Sequence, residues 1–247
     1  MEIKGNSVVI TGGTSGIGLA FAKEFLKAGS KVIICGRRKD RLAEIKKEHP
    51  EIITRICDIS HTEHRTDFAK WLLQYHPDMN ILINNAGVQL LADLTKPVNI
   101  HRIHIEVETN FVAPVHLTSL ITSHLSEKKS SAIINISSGL AFVPLAFMPV
   151  YCATKAAIHS LTLSLRHQLR NTPVKVFEIA PPAVDTELGS DRRADKSQTH
   201  GGMPVDEFIR EAMNAIRNDV LEAPIGTSKN SRDKREELFE VMNSKFN

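Results

Sequence analysis

Apolar residues gather along this chain in short, non-alternating runs, separated by longer stretches with helical spacing. The clear runs are "SVVIT", "KVIIC", "IITRIC", "NILIN", "SAIINIS" and "VKVFEIA", rich in valine and isoleucine, with a weaker seventh at "EAPIG". A run that is apolar on both faces suits a parallel strand buried on both sides of a sheet. Between the runs, apolar positions recur every three or four residues over 17–28, 38–49, 61–76, 99–124 and 150–171, which predicts helices there. Alternation of strand and helix implies right-handed crossovers. The expected fold is therefore α/β and doubly wound, a Rossmann-type, predominantly parallel sheet of about seven strands with helices on both faces.

No composition shift, internal repeat or low-complexity tract divides the sequence, so residues 1–247 read as a single domain. The stretch 186–204, "TELGSDRRADKSQTHGGMP", is polar, charged and glycine-bearing, and it follows the sixth run. In an open α/β sheet that position lies above the carboxyl ends of the strands, where ligands bind. It is read as a substrate lid, with a plain surface loop as the alternative.

Composition changes this picture little: 42% hydrophobic and 24% charged residues are ordinary for a globular chain, and the net charge is only +3. Basic blocks such as "GRRKDR" and "RRADK" are interrupted by acids, which favours solvated faces and argues against nucleic acid as a partner. Cys35, Cys57 and Cys152 show no CxxC or Cys/His ligand spacing, so neither a disulfide framework nor a metal site is indicated. "MEIKGNS" lacks the layout of a signal peptide, and no apolar run approaches the ~18 residues of a membrane span. A reduced, cytoplasmic protein with no membrane partner is expected.

The candidate chemistry begins at "TGGTSGIG". Gly12, Gly16 and Gly18 stand in the spacing G-x-x-x-G-x-G, with Thr14, Ser15 and Ile17 between them. The motif ends a strand and opens a helix, whose unsatisfied N–H groups and positive dipole end accept a pyrophosphate if glycine lets the backbone come close. After the second run, "IICGRRKDR" has Gly36 where an NAD-selective site places an acid, followed by Arg37 and Arg38. A guanidinium can grip a 2′-phosphate bidentately, so NADP(H) is the expected cofactor. Arg37, nearest the strand end, is the stronger candidate. The plainer alternative puts both arginines on the solvent face of the next helix.

Tyr151 and Lys155 lie four apart in a helical pattern and so share a face. A phenol with a pKa near ~10 is a poor base at neutral pH. An ammonium one turn away favours the phenolate and lowers that value. Ser138, at the end of the fifth run, could bond the substrate oxygen on which such a phenol would act. Taken singly these are ordinary features: Tyr-x-x-x-Lys is a common amphipathic pair, and Ser137 with Ser138 could simply end a strand. No G-x-S-x-G elbow surrounds Ser138, which removes a hydrolase nucleophile.

Taken in order, the motifs resemble the short-chain dehydrogenase/reductase family. The glycine stretch resembles TGxxxGxG, and "CDIS" supplies Asp58 and Ile59. "NNAG" supplies Asn85, Ala86 and Gly87, and "ETNFVAP" supplies Asn110. "NISSG" places Ser138 thirteen residues before the Tyr151 of "YCATK". "PPAVDT" supplies Pro181, Val184 and Thr186, with Pro182 where the family has glycine. The likeness runs from about residue 5 to 186, and "CGRRKDRL", "APPAVDTEL" and "MPVDEFI" further resemble its DltE-type oxidoreductase subgroup.

The resemblance implies an NADP(H)-dependent oxidoreductase that moves a hydride between nicotinamide and a carbonyl or secondary alcohol. In it Tyr151 is the acid/base, Ser138 stabilises the substrate oxygen, and Lys155 also holds the nicotinamide ribose. Asn110 anchors a proton-relay water chain, and the other motif residues bind the cofactor. It also implies a homodimer paired through the helices that carry Asn110 and Tyr151. The charged carboxyl end, "SRDKREELFEVMNSKF", departs from the family's usual close, so a dimer is favoured over a tetramer. Leu90, Leu140, Phe142, Phe147 and Met148, with Gln89 as a polar exception, are expected to form apolar substrate walls. Two other readings stay open: a non-catalytic NADP(H)-binding sensor on this fold, and a sugar-nucleotide-modifying relative.

Overall fold

The computed structural model describes residues 1–189 and 201–244. Among these residues seven strands form one sheet: β1 (Ser7–Thr11), β2 (Lys31–Gly36), β3 (Ile53–Ile56), β4 (Ile81–Asn84), β5 (Ser131–Ile136), β6 (Val174–Ala180) and β7 (Glu222–Pro224). Their order is β3-β2-β1-β4-β5-β6-β7, and every pairing is parallel. Six of the seven apolar runs open or centre their strands. The seventh, "EAPIG", contributes only the three-residue β7.

Helices α1 (Gly16–Lys27), α2 (Lys39–Glu48) and α7 (Val205–Arg217) cover one face. Val8, Ile10, Ile34, Ile83, Ile134 and Phe177 project into that layer. There Phe21 of α1 meets Phe208 of α7 edge-on, with ring centroids 6.5 Å apart. On the opposite face, α3 (Thr62–Tyr75) and α5 (Ala113–Ser126) bury Phe68, Leu72, Leu117 and Ile121 against Val9, Ile33, Leu82 and Ile133. The strict alternation of these strand residues between the two layers explains why the runs carry no polar face.

Helix α7 is the element that the spacing argument left out. Its buried residues, Phe208, Ile209, Ala212, Met213, Ala215 and Ile216, form a clear apolar stripe. The long helical pattern at 99–124 divides into α4 (Ile100–Val107), a π-helical turn (Glu108–Val112) and α5. The widened turn precedes Pro114, which has no N–H for the carbonyl four residues back. Helix α6 (Pro149–Gln168) follows β5, and the carboxyl end folds as α8 (Ser228–Lys234), a 3₁₀ turn (Arg235–Leu238) and α9 (Phe239–Asn243). Of the stretch read as a lid, 190–200 lies outside the described residues. Its flanks meet in a parallel bridge between Val184 and Met203.

Candidate active site

The strand order reverses between β1 and β4, and the crevice above that switch point is where an open α/β sheet binds ligands. The loop from Gly12 to Ser15 rises from β1 into this crevice. Gly12 has φ +65°, and a Cβ on it would lie 2.8 Å from the Ala86 Cα. At Gly18 a Cβ would come within 2.4 Å of both Asn85 Nδ2 and the Gly12 carbonyl. The loop and the start of α1 are therefore packed directly on the β4 turn, with no room for a side chain at Gly12 or Gly18. Thr11, which the motif reading passed over, fastens the two: its Oγ1 accepts from the N–H groups of Asn85 and Ala86, both at 3.1 Å. Asn85 Nδ2 donates to the carbonyls of Thr11 at 2.9 Å and Gly12 at 3.2 Å. The Ser15 side chain makes no capping bond to the first turn of α1, which suits a helix start that receives an anion.

The two arginines after β2 diverge. Arg37 is exposed and directs its charge at Asp58. Burial pushes the Asp58 carboxyl up, but the two Ser60 hydrogen bonds and the charge of Arg37 outweigh it and hold the group below its ordinary value. Arg38, not Arg37, is the residue that lies against the glycine loop. Its Nη2 donates to Ser15 Oγ at 2.7 Å and to Thr14 Oγ1 at 3.2 Å, and its Nη1 pairs with Glu187 at 2.7 Å. Arg41, one helical turn on, pairs with the other oxygen of Glu187 at 2.8 Å. Ile59 is buried, and its carbonyl accepts from Arg65, an almost fully buried guanidinium. Arg65 also bonds His116 Nδ1 and pairs with Glu108 at 2.7 Å, tying the loop after β3 to the π turn.

On the other side of the crevice stand Asn110, Ser138, Tyr151 and Lys155. Asn110, in the π turn, pairs with Val88 as a strand would: its Oδ1 accepts from the Val88 N–H and its Nδ2 donates to the Val88 carbonyl, both at 2.8 Å. Thr154 Oγ1 accepts from the same amide nitrogen at 3.1 Å. Ser138 caps the 3₁₀ turn Gly139–Ala141, its Oγ accepting from the Leu140 N–H at 3.1 Å. Lys155, 5% exposed, donates from Nζ to the Ile136 carbonyl at 2.8 Å and stands 5.7 Å from the centre of the Tyr151 ring. Burial lowers the Lys155 ammonium to about 8. Gly87 sits where the two meet: a Cβ there would lie 3.4 Å from Asn110 Oδ1 and 3.8 Å from Lys155 Nζ.

Pro181, Val184 and Thr186 follow β6 over the same crevice. The Pro181 carbonyl accepts from the Gly139 N–H at 2.8 Å, and the Thr186 side chain faces Gly16. Of the expected substrate walls, Leu140, Phe147 and Met148 pack beside Tyr151, and Gln89 Nε2 lies 3.1 Å from Met148 Sδ. Phe142 turns away. It packs with Val143 and Ala180 against Leu238, Phe239 and Met242, so it serves the docking of the carboxyl end.

Beneath the site runs a buried polar row that periodicity could not disclose. Asn84, Asn135, Glu178 and Glu222 stand in register across β4–β7. Asn84 Nδ2 bonds Asn135 Oδ1 at 2.9 Å and Thr118 Oγ1 of α5 at 3.2 Å, and Asn135 Nδ2 bonds Thr162 Oγ1 of α6 at 2.9 Å. Glu178 meets His159 Nδ1 at 2.8 Å, one turn beyond Lys155. His159, Glu178 and Glu222 bring ligand-type atoms within 4.8 Å of one another. Arg232 donates to Glu222, however, so both carboxylates already have a partner.

The family described as short chain dehydrogenase matches residues 6–197. The oxidoreductase DltE of Bacillus subtilis is 44% identical, with both chains covered in full. The NADP-dependent 3-hydroxy acid dehydrogenase YdfG of Salmonella typhimurium is 31% identical over 83% of this chain and 86% of its own. Among solved structures, a short chain dehydrogenase/reductase from Burkholderia phymatum in complex with NAD superposes with a TM-score of 0.86. It covers 98% of this chain and 97% of its own at 22% identity, a likeness of fold.

Proposed function

The chain belongs to the short-chain dehydrogenase/reductase family, and we propose that it is an NADP(H)-dependent oxidoreductase acting on an apolar carbonyl or secondary alcohol. The observation that carries this reading is buried Lys155, held between the Tyr151 ring and the Ile136 carbonyl two residues before Ser138, together with an arginine seated on the glycine loop. The residues present fit the cofactor. Arg38 already holds an anion, the Glu187 carboxylate, and the uncapped start of α1 faces the same loop. The NADP-dependence of YdfG supports the same choice.

The chemistry that NADP(H) would supply when bound is hydride transfer to or from the substrate carbon. In reduction the Tyr151 hydroxyl would give its proton to the carbonyl oxygen, and in oxidation the Tyr151 phenolate would take one from the alcohol. Lys155 favours the phenolate by its charge, and its bond to Ile136 fixes the ammonium at the sheet end. Ser138 Oγ is oriented by the Leu140 N–H it accepts, which leaves its own hydrogen to be donated to the substrate oxygen. Asn110 holds the Val88 loop, and Pro114 denies its carbonyl the usual helical donor, which suits a relay water. Leu140, Phe147 and Met148 offer the substrate an apolar wall next to the phenol. The alternative, a cofactor-binding sensor without turnover, requires the complete set of reacting groups to be idle.

The test is a panel of apolar ketones and aldehydes offered to the purified protein with NADPH. Carbonyl-dependent NADPH oxidation is the expected result. Tight NADPH binding with no oxidation across the panel would replace this reading with the sensor.

A further inference from the structure

The geometry points to Glu187 as an internal competitor for the cofactor's 2′-phosphate, a residue that tunes the choice between NADPH and NADH. This rests on the reading above that Arg38 receives the phosphate. Glu187 follows β6, yet its carboxylate reaches the start of α2, with Oε2 on Arg38 Nη1 at 2.7 Å and Oε1 on Arg41 Nη2 at 2.8 Å. The fork of Arg38 is thus divided. One arm is anchored on the Ser15 and Thr14 hydroxyls, and the other grips a carboxylate. An anion held by two guanidiniums beside the phosphate-binding loop is chemically equivalent to the ligand expected there. The neighbouring acids have other partners: Asp58 is held by Ser60 and faces Arg37, and Glu44 pairs with Arg41 Nη1. Glu187 alone among them sits on Arg38.

All three partners are about half exposed, with side-chain exposures of 42%, 42% and 48%, so their ion pairs are weak and exchangeable. A 2′-phosphate carries close to two charges and three acceptor oxygens, and it wins the arginines from a single carboxylate. To do so it must displace Glu187 or accept its repulsion. A 2′-hydroxyl makes no such demand, and the carboxylate can stay in place. Glu187 therefore weakens NADPH binding and leaves NADH nearly untouched, because only the fraction of molecules with the arginines released is competent for phosphate.

Calorimetric titration of wild type, Glu187→Gln and Arg38→Ala with NADPH, NADH, 2′,5′-ADP and ADP tests this. Glu187→Gln is expected to tighten NADPH and 2′,5′-ADP about three- to ten-fold, while NADH and ADP move less than about two-fold. Glu187→Ala, which removes the carboxylate and leaves no amide to bond the arginines, should act in the same direction. Unchanged or weakened NADPH binding in both variants would overturn the competitor role and make Glu187 a support for Arg38. The underlying reading is judged separately by Arg38→Ala. A selective loss of NADPH and 2′,5′-ADP upholds it, and an equal loss for all four ligands removes it whatever Glu187 does.

Discussion

On the β1–β3 side of the crevice, Arg37, Arg38, Arg41 and Glu187 stand in solvent, and the last three hold one another by exposed ion pairs. On the β4–β6 side, Asn110, Ser138, Tyr151 and Lys155 are 1–6% exposed, and Asn110, Ser138 and Lys155 are bonded to backbone. The first set is worth little energetically and can be re-paired by a ligand. The second is costly to disturb, because a buried polar group that loses its partner keeps the full desolvation penalty. The contrast suits the two tasks proposed for these sides. Reacting groups need fixed geometry, which the polar row under α6 and the Asn110–Val88 pairing supply. Cofactor choice needs only charge of the right sign at the rim.

Substitutions that confuse the two sides should therefore have unlike consequences. The largest is Tyr151→Phe, expected to lower kcat about 10²- to 10⁴-fold with NADPH affinity kept, read from steady-state turnover and titration. Asn110→Ala leaves the half-buried Val88 N–H and carbonyl without their partner, and it should cost about 1–3 kcal/mol of stability in chemical denaturation. Lys155 gives a pH signature. Its native pKa, about 8, lies below the ordinary lysine value, so between those values the native state binds fewer protons than the unfolded one. The cost of burying the ammonium is full below pH about 8 and falls as pH rises toward the ordinary value. The Tm of wild type relative to Lys155→Met should thus climb from pH 8 to pH 10, and a falling difference would refute the buried ammonium. Arg38→Ala should be the mildest, weakening NADPH about ten-fold with stability unchanged.

Much of this molecule is legible in its sequence because the informative residues are local. Non-alternating apolar runs mark the strands, and Tyr151 with Lys155 lies within one helical turn. What escaped depends on contacts between distant segments. Glu187 and Arg38 are 149 residues apart in sequence, and no spacing rule joins them. The in-register row Asn84–Asn135–Glu178–Glu222 exists only once four strands are aligned. Arg65 reads as a solvated helix charge until Ile59, His116 and Glu108 surround it. Phe142 looks like a pocket residue until the carboxyl-terminal helices fold over it. Helix α7 is a different case, because its apolar stripe is local to 205–217 and needs no distant contact to be read.

The division between a rigid reaction side and an exchangeable cofactor side is tested most directly by assaying Tyr151→Phe and Arg38→Ala together, for NADPH affinity and for turnover at saturating NADPH. The expected defects separate: Tyr151→Phe loses turnover and keeps affinity, and Arg38→Ala loses affinity and keeps turnover. If either variant loses both, the two sides are not independent, and the assignment of chemistry to one and cofactor choice to the other is wrong.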